Sequence, residues 1–521
     1  MNAKSIQKVK RSICKVQGVN RAYNWSEPYL LETEYENGGT AFFIDPLALM
    51  GPAFVQTERQ KQCRYLLTNF HVVQHYNTSF CILEWPERKN SYITAKIKHV
   101  VPNLDVAILE VDPTSPQPKW WQGDAAYWLE SIKNCALDTK NIIKGNSQSV
   151  KCIGFPNLQS DYQISDGSMS SRGLGMLQLD ISFNGGNSGG PLFLKSKVIG
   201  ICTASVSDCE RLGLAVPIQE IYRFFTFWCT YDDMILRLPC WGVQCKHLTS
   251  DYLAYKKIDA AYQGALVKRV LDNQAADQAG IRKGDILVGI ETRENGVEKK
   301  YNIDNFGNVQ VPWTDKRVGL ESVEFMLNLD PAHVVLHYYR NKKIHQTPIQ
   351  LEQIEFQVRT RYPFYEHLDY TVFGSMVFSD LHLNHLNDEY EEDEDEEPVA
   401  FDHSVLNTLK RTHGMENIVI CTRVFPQSYV SHASDIDENV HIVKINNWKV
   451  KSCNHLCTLL DRVTKEYYAK KLDYIVIETS EDKHVLSLDK LSEQERTDSR
   501  SNPNCIEQLR LLRQRRKRKR R

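Results

Sequence analysis

Three residues of different chemistry stand among short apolar runs: His71, Asp105 and Ser188. Ser188 lies in Gly185-Gly186-Asn187-Ser188-Gly189-Gly190-Pro191-Leu192. Glycines on both sides of one serine let the backbone wrap around its hydroxyl and leave amide N–H groups aimed at a common point. Acyl transfer needs that combination, an exposed nucleophile beside donors for a developing oxyanion. An ordinary glycine-rich turn has the same composition, so the serine needs a base and a group that orients the base. His71 follows the apolar run Tyr65-Leu66-Leu67-Thr68, and imidazole takes a proton near neutral pH without a large pKa shift. Asp105 opens the run Val106-Ala107-Ile108-Leu109, where a carboxylate can hold one imidazole tautomer and stabilise its cation. Alone, the histidine reads as a structural residue and the aspartate as a turn or cap. In the order His–Asp–Ser they fit one known arrangement of a serine triad.

The elements that must position them are short. Apolar runs at 40–44, 65–68, 80–83, 106–111, 150–153, 176–179 and 198–202 are separated by turn residues. Many short strands at close spacing indicate an all-β barrel or sandwich. The first helix-period face follows Pro217, with Ile221, Phe224, Phe225 and Trp228 at i, i+3, i+4 and i+7. That helix packs on the barrel and ends the domain.

The motifs around these residues resemble those of the Deg/HtrA serine proteases. Thr68-Asn69-Phe70-His71-Val72-Val73 is similar to their histidine motif, and Asp105-Val106-Ala107-Ile108-Leu109 to their aspartate motif. Gly186-Asn187-Ser188-Gly189-Gly190-Pro191-Leu192 is similar to their nucleophile loop. Gly38-Gly39-Thr40-Ala41-Phe42 resembles the strand that leads to the histidine, and Leu212-Gly213-Leu214-Ala215-Val216-Pro217 the end of the domain. The resemblance implies a mainly β fold, a chymotrypsin-like double β-barrel protease domain followed by two PDZ-like α/β domains. It implies Ser188 as nucleophile, His71 as base and then acid, Asp105 as orienter, and the backbone N–H groups of Gly186 and Ser188 as the oxyanion hole. The specificity pocket is expected between 180–184 and 202–206, at Ser182, Thr203, Ala204 and Ser205. The absence of a charge there points to a small or medium apolar P1 side chain. The polar loop 159–175 is expected to border the site and gate it.

Downstream, Ala275-Ala276-Asp277-Gln278-Ala279-Gly280-Ile281-Arg282-Lys283-Gly284-Asp285-Ile286-Leu287 is similar to a PDZ signature. Trp241, Gly242 and Val243 are expected to form its peptide-binding loop, with a helix carrying Val318, Leu320, Val323 and Leu327 as the facing wall. The stretch 360–490 resembles the degenerate second PDZ domain of the plant-type Deg branch, with a hairpin at Asn446-Asn447. The resulting division is an N-terminal extension at 1–30, the protease domain at 31–230, PDZ domains at 231–355 and 356–490, and a tail at 491–521. An acidic insertion near 387–398 reads as disordered, because like charges this dense repel and offer nothing to bury.

The formal net charge of −1, from 64 Lys and Arg against 65 Asp and Glu, conceals segregation. The acidic run 388–397 and the basic run 513–521 cancel in the sum. The basic tail points to nuclear or nucleolar targeting, or to nucleic acid bound through its phosphates; the cytoplasm is the other expectation. Fourteen cysteines without repeating spacing read as free thiols of an intracellular protein, with Cys453 and Cys457 the closest pair. No signal peptide or membrane-spanning stretch is visible. The triad requires no cofactor or metal. Protein or peptide substrates and a homo-oligomer, a trimer or its multiple, are what the resemblance implies. A catalytically silent scaffold and a nucleic-acid-tethered protein are the rival readings.

Overall fold

The computed structural model describes residues 9–501, apart from 52–61, 77–79, 89–91, 113–124, 142, 144–146, 174, 206–211, 229–232, 295–296, 312–316, 321–332, 354–355, 388–402 and 413. The acidic run, the basic tail, and the positions of Val323 and Leu327 lie outside the described residues.

Twelve strands build two closed barrels. The first is formed by β1 (Ile13–Tyr23), β2 (Leu31–Ile44), β3 (Arg64–Thr68), β4 (Phe80–Glu84), β5 (Tyr92–Val101) and β6 (Val106–Val111), in the order β1-β2-β3-β6-β5-β4. The second is formed by β7 (Ser149–Gly154), β8 (Gln163–Gly173), β9 (Met176–Leu179), β10 (Pro191–Leu194), β11 (Lys197–Ser205) and β12 (Gly213–Pro217), in the order β10-β11-β12-β9-β8-β7. Closure removes the exposed strand edges that short strands would otherwise present. Alternation drives it: in β5 the residues Ile93, Ala95 and Ile97 are buried while their neighbours face outward. One apolar cluster joins the barrels, with Phe42, Ile44, Leu67 and Ile108 from the first against Ile153, Phe155, Phe193 and Val216 from the second. The helix Ile218–Trp228 adds Ile218, Ile221, Phe224 and Phe225 to the same cluster.

Two expectations are corrected here. The extension expected over 1–30 supplies β1, whose Ile13, Cys14 and Val16 are buried. The loop expected over 159–175 is largely β8, paired with β7 and β9.

A further sheet in the same compact unit (1–20 and 35–354) runs Val243–Lys246, Ala265–Val270, Ile286–Glu294, Val334–Arg340, Lys343–Ile349, with Val297–Asn302 paired to Ile286–Glu294. The Gly284-Asp285 turn is fixed by Arg340, whose Nε and Nη2 donate to the Asp285 carboxylate at 2.6 and 2.5 Å. Val318, expected on a helix, lies instead in the strand Arg317–Gly319.

The second unit comprises 21–34 and 355–521. Its seven-stranded sheet runs Tyr370–Phe373, Met376–Asp380, Val419–Val424, Val440–Ile445, Tyr474–Thr479, Lys483–Ser487, with Trp448–Lys449 hairpinned onto Val440–Ile445 through Asn446. The helix Cys453–Tyr468 starts where Ser452 Oγ accepts from the His455 N–H and Asp380 Oδ1 accepts from the Cys453 N–H. It lays Leu456, Leu459, Leu460 and Val463 on the sheet.

Candidate active site

His71 sits on a single helical turn, Phe70–Val73, that follows β3. Phe70, Val72 and Val73 are buried, so three apolar anchors fix the turn and leave the histidine facing solvent. Antiparallel pairing of β3 with β6, Thr68 opposite Ala107, brings the end of one strand beside the start of the other. Asp105 closes the short turn Pro102–Leu104 with φ 53°, a left-handed conformation that aspartate tolerates. Its carboxylate meets the histidine twice: the His71 backbone N–H donates to Oδ1 at 2.9 Å, and His71 Nδ1 lies 2.8 Å from Oδ2. Nδ1 therefore carries the proton and Nε2 is left as the basic nitrogen.

The Ser188 loop is tied to both barrels through main-chain atoms. The Thr40 N–H donates to the Ser188 carbonyl at 2.8 Å. Thr40 Oγ1 donates to the Gly186 carbonyl at 2.7 Å and accepts from the Phe155 N–H at 3.1 Å. Thr68 Oγ1 donates to the Thr40 carbonyl at 2.7 Å. Asn69, fully buried, spans the gap: Nδ2 donates to the Asp105 carbonyl at 2.8 Å, and Oδ1 accepts from the Gly189 N–H at 2.6 Å. Gly189 has φ 85°, and a Cβ there would stand 1.9 Å from the Thr40 carbonyl oxygen, so only glycine fits.

The Gly186 N–H, expected to face an oxyanion, is oriented by a neighbouring turn. The Asn157 N–H donates to the Gly185 carbonyl at 2.5 Å. In a trans peptide the carbonyl and the following N–H point in opposite directions, so this bond turns the Gly186 N–H away from Asn157. Gly186 has φ 93°, and a Cβ would meet the Phe155 carbonyl oxygen at 2.2 Å. Among the described residues, neither the Gly186 nor the Ser188 N–H has a protein acceptor.

Thr203, on β11, connects the two halves. Its hydroxyl donates to Asp105 Oδ2, and its carbonyl accepts from Ser188 Oγ at 2.8 Å. The Ser188 hydroxyl thus rests on Thr203 rather than on His71. Sequence reasoning placed Thr203 in the specificity pocket, whereas its hydroxyl is engaged with the aspartate. Ser182, expected at the pocket base, is exposed; the neighbouring Phe183 turns inward, its ring so close to Gly213 that a Cβ there would come within 2.7 Å. Ala204 and Ser205 lie on β11 opposite Leu214 and Gly213. Thr40, Thr68, Asn69 and Asn157 were not singled out, although the first three stand inside the quoted motifs.

Trp241, Gly242 and Val243 lead into the strand Val243–Lys246, which ends its sheet. The Trp241 and Gly242 carbonyls accept from the Ala276 and Leu271 N–H groups at 3.0 and 2.8 Å, which fixes the loop against the Gly280 turn region. Among the described residues no cluster of three or more His, Cys, Asp or Glu could hold a metal ion. No described helix is long and apolar enough to cross a membrane.

Residues 39–201 match the trypsin-like peptidase domain family and residues 360–504 the PDZ domain family. The mitochondrial Do-like 12 protein of Arabidopsis thaliana is 21% identical over 412 residues, spanning 76% of this chain and 70% of its own. Protease Do-like 2, chloroplastic, of the same organism is 21% identical over 470 residues, spanning 88% and 68%. HhoB of Synechocystis is 27% identical over 263 residues, spanning 46% and 58%. Among solved structures, the HtrA-type protease AlgW with a decapeptide is 18% identical, covers 68% of this chain and 98% of its own, and gives a TM-score of 0.45.

Proposed function

Starting from a chain that is a homologue of the Deg/HtrA proteases and carries a trypsin-like peptidase domain and a PDZ domain, we propose that it is a serine endopeptidase acting through Ser188, His71 and Asp105. The observation that carries this reading is the His71–Asp105 pair, with Nδ1 2.8 Å from Oδ2, on a carboxylate that the Thr203 hydroxyl also holds. Rotation about χ1 swings Ser188 Oγ from the Thr203 carbonyl towards His71 Nε2. Oγ then attacks the scissile carbonyl while Nε2 takes its proton, and Asp105 stabilises the imidazolium. The Gly186 and Ser188 N–H groups receive the oxyanion, a stabilisation of roughly 3–4 kcal/mol per donor. His71 returns the proton to the leaving amine, and water, activated by the same nitrogen, hydrolyses the acyl-enzyme. The cycle uses no ATP and needs no metal.

Unfolded or specific proteins are the substrates of this reading. The Trp241-Gly242-Val243 loop captures a peptide C-terminus as an added strand. The assembly is a trimer or its multiple. The basic run 513–521 serves either nuclear or nucleolar targeting or attachment to nucleic acid through phosphates. A fluorophosphonate probe is expected to label the wild type and not Ser188→Ala, with cleavage of denatured protein following the same pattern. The resting position of Ser188 Oγ on Thr203 favours one rival, a protease fold that only binds. Failure of the wild type to label, with denatured protein still bound, would establish that rival instead.

A further inference from the structure

Two thiols meet inside the second barrel. Cys152 lies on β7 and Cys202 on β11, the strands that flank β10. The Sγ of Cys202 is 3.0 Å from the Sγ of Cys152. Both are buried, in an apolar cluster with Val150, Leu177, Leu192 and Ala215. Gly190, at the edge of the nucleophile loop, stands over the pair: a Cβ there would lie 3.5 Å from Cys152 Sγ. Four other buried thiols have main-chain partners. Cys14 donates to the Ala41 carbonyl, Cys81 to Ala95, Cys421 to Arg423 and Cys453 to Phe378. Cys152 and Cys202 face each other instead.

A disulfide holds its sulfurs about 2.05 Å apart, so the sulfurs need roughly 1 Å of approach, and because β10 stands between β7 and β11 the two flanking main chains must be drawn together as well. We propose that Cys152 and Cys202 are a dithiol–disulfide pair, closed by hydrogen peroxide, and that closure slows the Ser188 nucleophile. One thiolate attacks the peroxide to give a sulfenic acid and, after proton transfer, water. The other thiol displaces a second water from that sulfenic acid. Two thiols and one peroxide thus give one disulfide and two waters. Burial pushes the Cys202 thiol well above its ordinary pKa, which keeps the thiolate scarce and the reaction slow. A small neutral oxidant suits such a site better than a protein disulfide.

The link to Ser188 is short and runs through main-chain hydrogen bonds and one peptide bond. The Cys202 N–H donates to the Gly190 carbonyl at 2.9 Å, and the Gly189 N–H donates to the Cys202 carbonyl at 2.9 Å. The next residue is Thr203, which holds both Ser188 Oγ and Asp105. Drawing Cys202 towards β7 shifts this frame. A misplacement near 1 Å costs on the order of 10²-fold in rate. The effect on rate rests on the peptidase reading; the cross-link does not.

The test uses the full chain, reduced and then exposed to hydrogen peroxide in native buffer, with wild type, Cys152→Ala and Cys152→Ser in parallel. Peptide mass spectrometry is expected to find a Cys152–Cys202 cross-link lacking two hydrogens. Fluorophosphonate labelling of the oxidised wild type is expected to be at least tenfold slower, on the scale of the misplacement cost, and a dithiol reductant restores it. The variants are expected to keep their labelling rate under peroxide. Two free, alkylatable thiols after peroxide would overturn the proposal, as would a cross-linked protein that labels at the reduced rate. If the reduced wild type takes no probe, the peptidase reading fails, and the cross-linked peptide alone decides the thiol pair.

Discussion

Replacing Thr40 by valine keeps the shape of a fully buried side chain and deletes one oxygen. That oxygen works in two directions, accepting from the Phe155 N–H at 3.1 Å and donating to the Gly186 carbonyl at 2.7 Å. Two buried main-chain groups lose their partner, at about 1–3 kcal/mol each, so destabilisation of about 2–6 kcal/mol is expected. The backbone bond from the Thr40 N–H to the Ser188 carbonyl survives, so the nucleophile keeps one anchor. The catalytic effect should be separate from the loss of stability. Phe155 starts the turn whose Asn157 N–H holds the Gly185 carbonyl, and that bond sets the direction of the Gly186 N–H. Loosening one oxyanion donor costs up to about 3–4 kcal/mol in the transition state, or roughly 10²–10³-fold in acylation rate. The assay is the second-order rate of fluorophosphonate labelling, with denaturant unfolding measured in parallel. Thr40→Ser retains the hydroxyl and loses one methyl, and should stay within a few-fold of wild type. If Thr40→Val labels within twofold of wild type, or Thr40→Ser is as slow as Thr40→Val, the two-way hydroxyl is not what positions the hole.

Three further outcomes follow from the same geometry. Gly189→Ala must place a Cβ 1.9 Å from the Thr40 carbonyl oxygen at φ 85°; a loss above about 3 kcal/mol is expected, read as failure to yield soluble folded protein or a collapsed unfolding midpoint. Asn69→Ala removes the bridge between the Asp105 carbonyl and Gly189, two bonds worth about 1–3 kcal/mol together, while Gly189 keeps its bond to Cys202; labelling should slow with little change in peptide KM. In the second unit, His382 and His385 stack at 5.4 Å, with Trp25 edge-on to both, and burial lowers their pKa values to about 2 and about 4. A buried neutral histidine stabilises fully above its unfolded pKa near 6.5 and loses that contribution as pH falls towards the folded value, so about 2 kcal/mol per histidine is gone at pH 5. Asp380, raised by burial to about 6, acts in the opposite sense and gains about 1–1.5 kcal/mol over the same interval. The net expectation is an unfolding midpoint for the second unit, followed in the full chain, that falls between pH 7 and pH 5, and falls further in Asp380→Asn; a midpoint that holds flat or rises would refute it.

His71, Asp105 and Ser188 stand out in the sequence because each sits in a local motif whose neighbours are also constrained. Thr40, Thr68 and Asn69 stand in those same motifs, yet reading them for a nucleophile and a base draws the eye to one residue each. Two of them hold main-chain atoms across more than a hundred positions, and such pairings leave no spacing to read: Thr40 Oγ1 reaches Gly186 and Asn69 reaches Gly189, while Thr68 Oγ1 holds the Thr40 carbonyl. The first strand was missed for another reason. Its buried Ile13, Cys14 and Val16 are interleaved with Lys15, Gln17 and Asn20, so in one dimension it reads as a basic, polar extension. Its apolar side chains acquire meaning once β4 and β2 close the barrel around them.

Thr203 and Phe183 show where local pattern gives way to register. A bulge in the pairing of β11 with β12, between Cys202 and Ala204, falls at Thr203, and its hydroxyl is bonded to Asp105. One residue's offset separates a pocket wall from a positioning group, and no composition rule carries it. The same holds for Ser182 and Phe183, adjacent in sequence, of which the polar one is exposed and the aromatic one packs over Gly213. The cysteines follow the same logic on a longer scale. Sequence proximity favours Cys453 and Cys457, on one helix, whereas the thiols in contact are fifty residues apart. Two strands that never pair bring them together around a third that Gly190 leads into, beside the loop where the reaction is expected to occur.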